Sequence, residues 1–175
     1  LLAMAAEAEL GDAHALDNNI VAMSHPDGMS SLLSGSVECQ LTTSPYVYKE
    51  AAEEGIHEVE GLESVWPDGN SFIVMMASTD LYEKNPELYQ AVVSALEEAI
   101  TWINENKEEA AEMLCEAEDV DAQTMLEWLN DPACVYSTET KGVMDMAEFM
   151  SENDFLENEG PSSMSDLAFD NVKGN

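Results

Sequence analysis

The chain has 175 residues, with 5 lysines and arginines against 37 aspartates and glutamates, which gives a formal net charge of −32. All five bases are lysine, and the chain has no arginine. Nucleic acid and anionic lipid are excluded as partners, because the chain brings almost no positive charge to phosphate groups. Hydrophobic residues make up 45% and alternate with the acids, which predicts a folded domain rather than a disordered acidic tail.

The hydrophobic runs are short, and the cysteines are widely spaced. No run approaches the roughly 20 residues that span a bilayer, so we expect no direct membrane insertion. The sequence begins at Leu1 and shows no secretory signal. Cys39, Cys115 and Cys134 form no CxxC or Cys/His cluster, so neither a metal site nor a cofactor is expected. We predict that Cys39 and Cys115 are buried thiols, because both lie in apolar patterns.

The first 60 residues alternate between helical and strand periodicity. Helices are predicted at 1–10, ended by Gly11, at 26–33, ended by Gly35, and at 45–54, where Ser44 caps the start. Strands are predicted at 20–24, 37–43 and 56–60. Short connections between these elements predict an α/β fold with a parallel sheet. A unit of this kind seldom begins with a helix that follows no strand, so we expect a longer protein of which this is the C-terminal part.

The period of the sequence becomes helical after one further strand. A loop at 61–70, with Pro67, Asp68 and Gly69, leads into an apolar strand at 71–78, as in a sheet covered on both faces. Asn106 and Glu109 have the spacing of a capping box. Helices are predicted at 86–104, 107–116, 121–129 and 141–152, with a short one at 163–169.

Sequence motifs for catalysis are missing: the chain has no nucleophile elbow, P-loop, zinc-protease or dinucleotide-binding signature. We therefore predict no catalytic residues. Ligands of open α/β sheets bind at the carboxyl ends of strands, where Ser24 and His25 follow one predicted strand and Thr42, Thr43 and Ser44 follow another. Hydroxyl groups before a helix start would form a neutral cradle for an oxygen-rich ligand.

Aromatic residues and simpler alternatives accompany these candidates. Tyr46, Tyr48 and Trp66 could present ring faces to a cleft. The alternative for His25 is a solvated turn residue before proline, and the alternative for Trp66 is a half-buried anchor. Ser44 is expected to cap its helix whether or not it also binds a ligand.

The order of these elements resembles a known family. Residues 25–56 (HPDGMSSLLSGSVECQLTTSPYVYKEAAEEGI), 71–114 (SFIVMMASTDLYEKNPELYQAVVSALEEAITWINENKEEAAEML) and 149–172 (FMSENDFLENEGPSSMSDLAFDNV) resemble successive stretches of solute-binding proteins of ABC importers. The best match is the nitrate/sulfonate/taurine and thiamine-pyrimidine-precursor branch. The motifs are degenerate, so their ordered succession carries the resemblance.

The resemblance implies a type-2 periplasmic-binding fold, in which two α/β lobes close on a solute. Residues 1–70 would be lobe two without its first strand, and residues 71–175 the crossing strand and the C-terminal helices that pack on lobe one. Carried over by position, Ser24, His25, Thr42, Thr43 and Ser44 would face the cleft, with Trp66 and Asn70 near the crossing. The implied partners are a small-molecule solute and ABC permease subunits. The implied location is periplasmic or extracellular, with any lipid anchor preceding Leu1.

Three functions follow in order of preference. The first is binding of a small solute, such as a sulfonate, nitrate, taurine or a pyrimidine, for delivery to an importer. The second is a pyrimidine-precursor synthase-like enzyme on the same fold, which the missing cysteine-rich run disfavours. The third is an acidic interaction protein without a small-molecule site. Because the chain has no arginine, a neutral or cationic heteroaromatic ligand is slightly favoured over an anion.

Overall fold

The computed structural model, which describes residues 1–59, 61, 64–67 and 69–174, divides the chain into two compact units. The first is Leu1–Trp66 and the second is Pro67–Asn175. Glu60, the end of the third predicted strand, and Asp68, in the predicted loop, lie outside the described residues. The assignment of residues 1–70 and 71–175 to two lobes stays a prediction.

The first unit contains the three predicted helices. They are α1 (Leu2–Leu10), α2 (His25–Leu33) and α3 (Tyr46–Ala51). Gly11 ends α1 with φ of 73°, a left-handed conformation that a residue without Cβ adopts easily. Pro45, not Ser44, occupies the N-cap position of α3, so the predicted cap is wrong, and α3 ends three residues before the predicted end.

The segments predicted as strands are not part of a sheet in the described residues. Within the described residues, 20–24, 37–43, 56–59 and 71–78 form no strand ladder. Their apolar side chains are exposed because no neighbouring strand covers them; Ile73 is 76% and Met76 is 87% exposed. A strand is stabilised by its neighbours rather than by its own residues. The parallel-sheet lobe of a type-2 periplasmic-binding fold therefore stays a prediction.

The second unit is mainly helical. A single recorded pair of short strands, β1 (Glu139–Thr140) and β2 (Lys173–Gly174), runs parallel, with Glu139 opposite Lys173, in the part of this unit that the structure describes. The helices are α4 (Thr79–Lys84), α5 (Pro86–Glu105), α6 (Lys107–Glu118), α7 (Ala122–Asn130) and α8 (Val143–Glu152). The sequence interpretation missed α4, whose N-cap Ser78 accepts a hydrogen bond from the amide of Leu81.

Helices α6 and α7 form the best-packed part of the second unit. Ala110 and Ala111 are each 1% exposed and meet Met125 and Leu129 of α7. Small side chains on α6 let the two helix backbones approach closely, and larger side chains fill the space around them. Lys107 donates from Nζ to the carbonyl oxygen of Leu129 at 2.6 Å and so satisfies one of the last carbonyl groups of α7.

Aromatic side chains hold the C-terminal segment against α4 and α5. Tyr82 stacks on Phe169 with ring centroids 4.1 Å apart, and Tyr89 meets both rings edge-on. The Tyr89 hydroxyl donates to Asn171 Oδ1 at 2.7 Å. Edge-to-face and offset-stacked rings are the favoured geometries of aromatic pairs, so this cluster fixes residues 169–171 on the helices.

Two local predictions are wrong. Cys39 is exposed rather than buried, because the segment 37–43 has no covering strand; Cys115 is partly buried, and all three cysteines are free thiols. Asn106 does not cap α6 with its side chain, because its Nδ2 donates back to the carbonyl oxygen of Trp102 at 2.9 Å.

Overpacking the α6–α7 contact should destabilise the chain. We expect Ala111→Leu to lower the free energy of unfolding by about 1–3 kcal/mol, since the added side chain has no space between the two backbones. Ala117→Leu is the matched control, because Ala117 is exposed on the same helix. Urea unfolding measures both, and equal midpoints for the two variants would contradict the packing described.

The hydrogen bond of the Tyr89 hydroxyl can be tested by removing that oxygen. Tyr89→Phe should lower the free energy of unfolding by about 1 kcal/mol, because Asn171 loses its partly buried donor. Tyr82→Phe keeps the same aromatic cluster and removes a hydroxyl for which the described residues provide no hydrogen-bond partner. It should change stability by less, and a larger loss in Tyr82→Phe would argue against this role for the Tyr89 hydroxyl.

Candidate functional site

Gln40 fixes the extended segment 37–43 against the start of α2. Its Nε2 donates to the carbonyl oxygen of His25 at 3.2 Å, and its side-chain amide lies over Gly28. A methyl group on Gly28 would come within 2.5 Å of Gln40 Nε2, so glycine is what permits this contact. Two residues beyond Gln40, the side chain of Thr42 reaches α2 on the same side of the segment, as an extended backbone dictates.

His25 and Thr42, which the sequence placed on neighbouring turns, meet directly. His25 Nδ1 lies 2.9 Å from Thr42 Oγ1, and the imidazole stacks on the Tyr46 ring with centroids 5.7 Å apart and planes 18° apart. His25 is exposed, and no hydrogen-bond partner is recorded for its Nε2 within the described part of the chain. The hydroxyl fixes the ring orientation, so His25 presents a positioned nitrogen to solvent.

The other hydroxyl residues have local roles beside this pair. Ser24 caps α2: its Oγ accepts from the Asp27 amide at 3.3 Å and donates to Asp27 Oδ2 at 2.6 Å. Thr43 donates from Oγ1 to the carbonyl oxygen of Ser44 at 3.3 Å, and its own carbonyl accepts from Val47 at the start of α3. Ser24 and Thr43 therefore hold the ends of the two helices that carry His25 and Tyr46.

Trp66 and Asn70, the last two predicted site residues, fall in different units. Trp66 ends the first unit and is half-buried, and its indole Nε1 has no recorded partner among the described residues. Asn70 belongs to the second unit, where its side chain lies against Gly142 and its amide donates to the carbonyl oxygen of Pro67. The residues around His25 on α2, which are Gln40, Thr42, Tyr46 and Glu50 and are called the His25 cluster below, all belong to the first unit.

Glu50 lies on the same face of α3 as Tyr46, one helical turn further on. It is 5% exposed and is the one buried charged side chain in the described ranges. No hydrogen-bond partner is recorded for its Oε1 in those ranges. Burial raises the pKa of Glu50 above its ordinary value, because the charged form loses hydration, while the positive charge of His25 acts in the opposite direction.

Two residues of this cluster were missed by the sequence interpretation, although both left a signal. Gln40 alternates with Thr42 along the extended segment, which places both on one side. Glu50 follows Tyr46 by four residues, the spacing that shares a helix face. Among 37 acidic residues, however, nothing in the letter sequence separates a buried glutamate from a solvated one.

The other surface features of the described residues give weaker evidence for a binding site. A depression of about 340 Å³ on α5 is open to solvent and lined by three glutamates, Thr101 and Trp102, as on a hydrated helix face. The described residues contain no group of three or more histidine, cysteine or acidic side chains that could hold a metal ion. Across the same residues, no helix is long and apolar enough to cross a membrane.

Comparison with known proteins gives one match. Residues 6–117 match the NMT1-like family, and this stretch includes the whole of the His25 cluster. No curated protein matches the chain. No solved structure matches it either.

The buried carboxyl group of Glu50 predicts a pH-dependent stability difference. Because the pKa of Glu50 is raised in the folded chain, the protonated carboxyl group stabilises the folded state relative to the unfolded state. This stabilisation is complete below pH 4.5, the ordinary glutamate value, and is lost as pH rises through the raised pKa. Glu50→Gln should therefore gain stability relative to wild type as pH rises from below 4.5 to neutrality. Urea unfolding at a series of pH values measures the difference.

The control for this pH series is Glu53→Gln, which removes the same charge from an exposed position three residues further on. Its stability difference from wild type should change little over the same range, since water already solvates that carboxylate. A Glu50→Gln curve parallel to that of Glu53→Gln would contradict the burial of Glu50.

Proposed function

Because the chain belongs to the NMT1-like family, we propose that it binds a small solute and delivers it to an ABC-type importer. The family consists mostly of substrate-binding proteins, which are not enzymes, so solute binding without chemistry is the function that family membership favours. Such proteins are typically periplasmic or extracellular, and their partners are the permease subunits of the importer.

The observation that carries the proposal is the His25–Thr42 contact beside Tyr46. Thr42 Oγ1, at the end of the extended segment, lies 2.9 Å from His25 Nδ1 at the start of α2, and the Tyr46 ring stacks on the imidazole. The arrangement offers a positioned ring nitrogen, a hydroxyl and an aromatic face together. Sites for small solutes typically combine a small number of convergent polar groups with aromatic ring faces.

The proposed solutes are a sulfonate, nitrate, taurine or a pyrimidine-like compound. Ser24, His25, Thr42, Thr43 and Ser44 would contact the solute from the first unit. Trp66 and Asn70 are proposed as further contacts at the crossing between two lobes of a type-2 periplasmic-binding fold. Closure of two lobes around a solute is the usual hinge motion of such binding proteins.

A thermal-shift screen of the chain tests the proposal. A solute that binds only the folded state raises the unfolding midpoint, and the shift grows with the logarithm of its concentration once that concentration exceeds its Kd. We expect at least one solute among taurine, an alkanesulfonate, nitrate and an aminopyrimidine to raise the midpoint. Thr42→Val keeps the side-chain shape but removes the hydroxyl that orients His25, which should weaken binding about fivefold.

Thr138→Val is the matched control, because Thr138 is exposed in the second unit. It should leave both the midpoint shift and the solute affinity unchanged. A screen with no solute-dependent shift at millimolar concentrations would overturn the proposed function. Equal solute affinities of Thr42→Val and wild type would show instead that binding occurs away from His25.

A further inference from the structure

The lysines of the chain are already engaged in contacts, so they leave most of its negative charge uncompensated. The sequence has 5 lysines and no arginine against 37 acidic residues. Lys107 donates to the carbonyl oxygen of Leu129, and Lys49 lies over the ring of Tyr46. The other three lysines each pair with one carboxylate: Lys84 with Asp80, Lys141 with Glu139 and Lys173 with Glu97. At neutral pH the folded chain therefore holds many like charges that the surrounding solution must screen.

Helix α6 is where like charges lie closest to the hydrophobic core of the second unit. Its five glutamates are Glu108, Glu109, Glu112, Glu116 and Glu118. Like charges three or four positions apart on a helix are neighbours and destabilise it, and Glu112 has such neighbours on both sides. The last turn contains no base, so the charges there also face the negative end of the helix dipole. In dilute buffer, α6 is thus opposed by its own side chains.

The contact that holds α6 in place is small. Ala110 and Ala111 pack on Met125 and Leu129 of α7. Seven hydrophobic side chains are buried in the described residues and four of them are alanine, which buries little apolar area. Hydrophobic burial at the α6–α7 contact therefore offsets a modest amount of repulsion. The balance between the two effects is sensitive to how well the charges are screened.

Ionic strength sets how far the repulsion reaches. The Debye length is about 30 Å in 0.01 M salt and about 3 Å in 1 M salt. The 12 residues of α6 span about 18 Å. In dilute buffer every glutamate of the helix therefore repels every other, whereas in concentrated salt these repulsions are largely screened. Salt also weakens the three ion pairs, but their side chains are at least 39% exposed, so these pairs contribute little to stability.

We propose that ionic strength controls the packing of α6 on α7, so that the helix pair opens in dilute buffer and closes when mobile cations screen the acidic residues. Two independent observations support this: the like charges on the exposed surface of α6 and the alanine-rich contact on its buried surface. Screening acts through diffuse ions, so closure requires no cation-binding site. Order in this part of the second unit follows the salt content of the surroundings.

Urea unfolding at neutral pH tests the proposal, since urea is uncharged and leaves the ionic strength unchanged. We expect the urea midpoint to rise by about 1 M between about 0.02 M and about 1 M sodium chloride. Most of the rise should occur below about 0.3 M salt, where the Debye length shortens fastest. NMR contacts from the methyl groups of Ala110 and Ala111 to Met125 and Leu129 locate the effect, and they should strengthen over the same range. Potassium chloride should give the same curve, because screening depends on the charge of the ions and not on their identity.

Glu112→Gln removes the charge at the centre of α6. It should raise the urea midpoint by roughly 0.3 M in dilute buffer, and the difference from wild type should vanish in concentrated salt. Glu157→Gln is the matched control, because it removes the same charge from an exposed position outside the helices, and it should give less than half of this gain.

Four outcomes would each overturn the inference. The first is a urea midpoint that does not depend on salt. The second is a midpoint that rises in simple proportion to salt concentration, as exclusion of salt from the protein surface would produce. The third is a difference between sodium and potassium, which would indicate a bound cation, and the fourth is an equal gain in Glu112→Gln and Glu157→Gln.

Discussion

The contact between the Gln40 amide and the first turn of α2 is the constraint on which the candidate site depends. The segment 37–43 has no sheet neighbour in the described residues, so its position relative to α2 rests on side-chain contacts. The hydrogen bond from Gln40 to His25, over the bare Gly28, supplies that position. Once Gln40 is fixed, the alternation of the backbone brings Thr42 to the imidazole.

The two units use different means to stay ordered. In the second unit, apolar side chains of α6 and α7 cover one another, and an aromatic cluster joins distant parts of the sequence. In the first unit, Ala6 and Ala13 are the buried hydrophobic side chains of the described residues, and polar contacts carry more of the geometry. A site held by hydrogen bonds at an exposed surface can rearrange at low cost, which is consistent with the solute binding and release proposed above.

Helices were predictable here because their signals are local. Asp121 and Pro86 begin the helices that the sequence predicted from them, since capping and proline geometry involve only a few neighbouring residues. The apolar run at 71–78 shows what could pair in a sheet, but pairing is a property of two segments, and one sequence pattern cannot specify the second. The parallel sheet accordingly stays a prediction.

Part of the candidate site could be predicted from the sequence for the same reason. His25 and Thr42 stand at the ends of segments, where turn residues and helix starts are easy to recognise, and the structure brings them to 2.9 Å. Gln40 and Glu50 depend on burial, which arises from three-dimensional packing. Trp66 and Asn70 are close in sequence, yet they belong to different units, because the boundary lies between Trp66 and Pro67.

The bond between Tyr89 and Asn171 joins residues 82 positions apart, and this separation has a consequence for biosynthesis. A ribosome makes α4 and α5 well before it makes residues 169–171, so the rings of Tyr82 and Tyr89 emerge without Phe169 to cover them. During that interval the helices present an uncovered aromatic surface to the cell, as nascent chains commonly do before distant contacts form. Chaperone binding to the nascent chain should therefore concentrate on α4 and α5 and end when residue 171 is released.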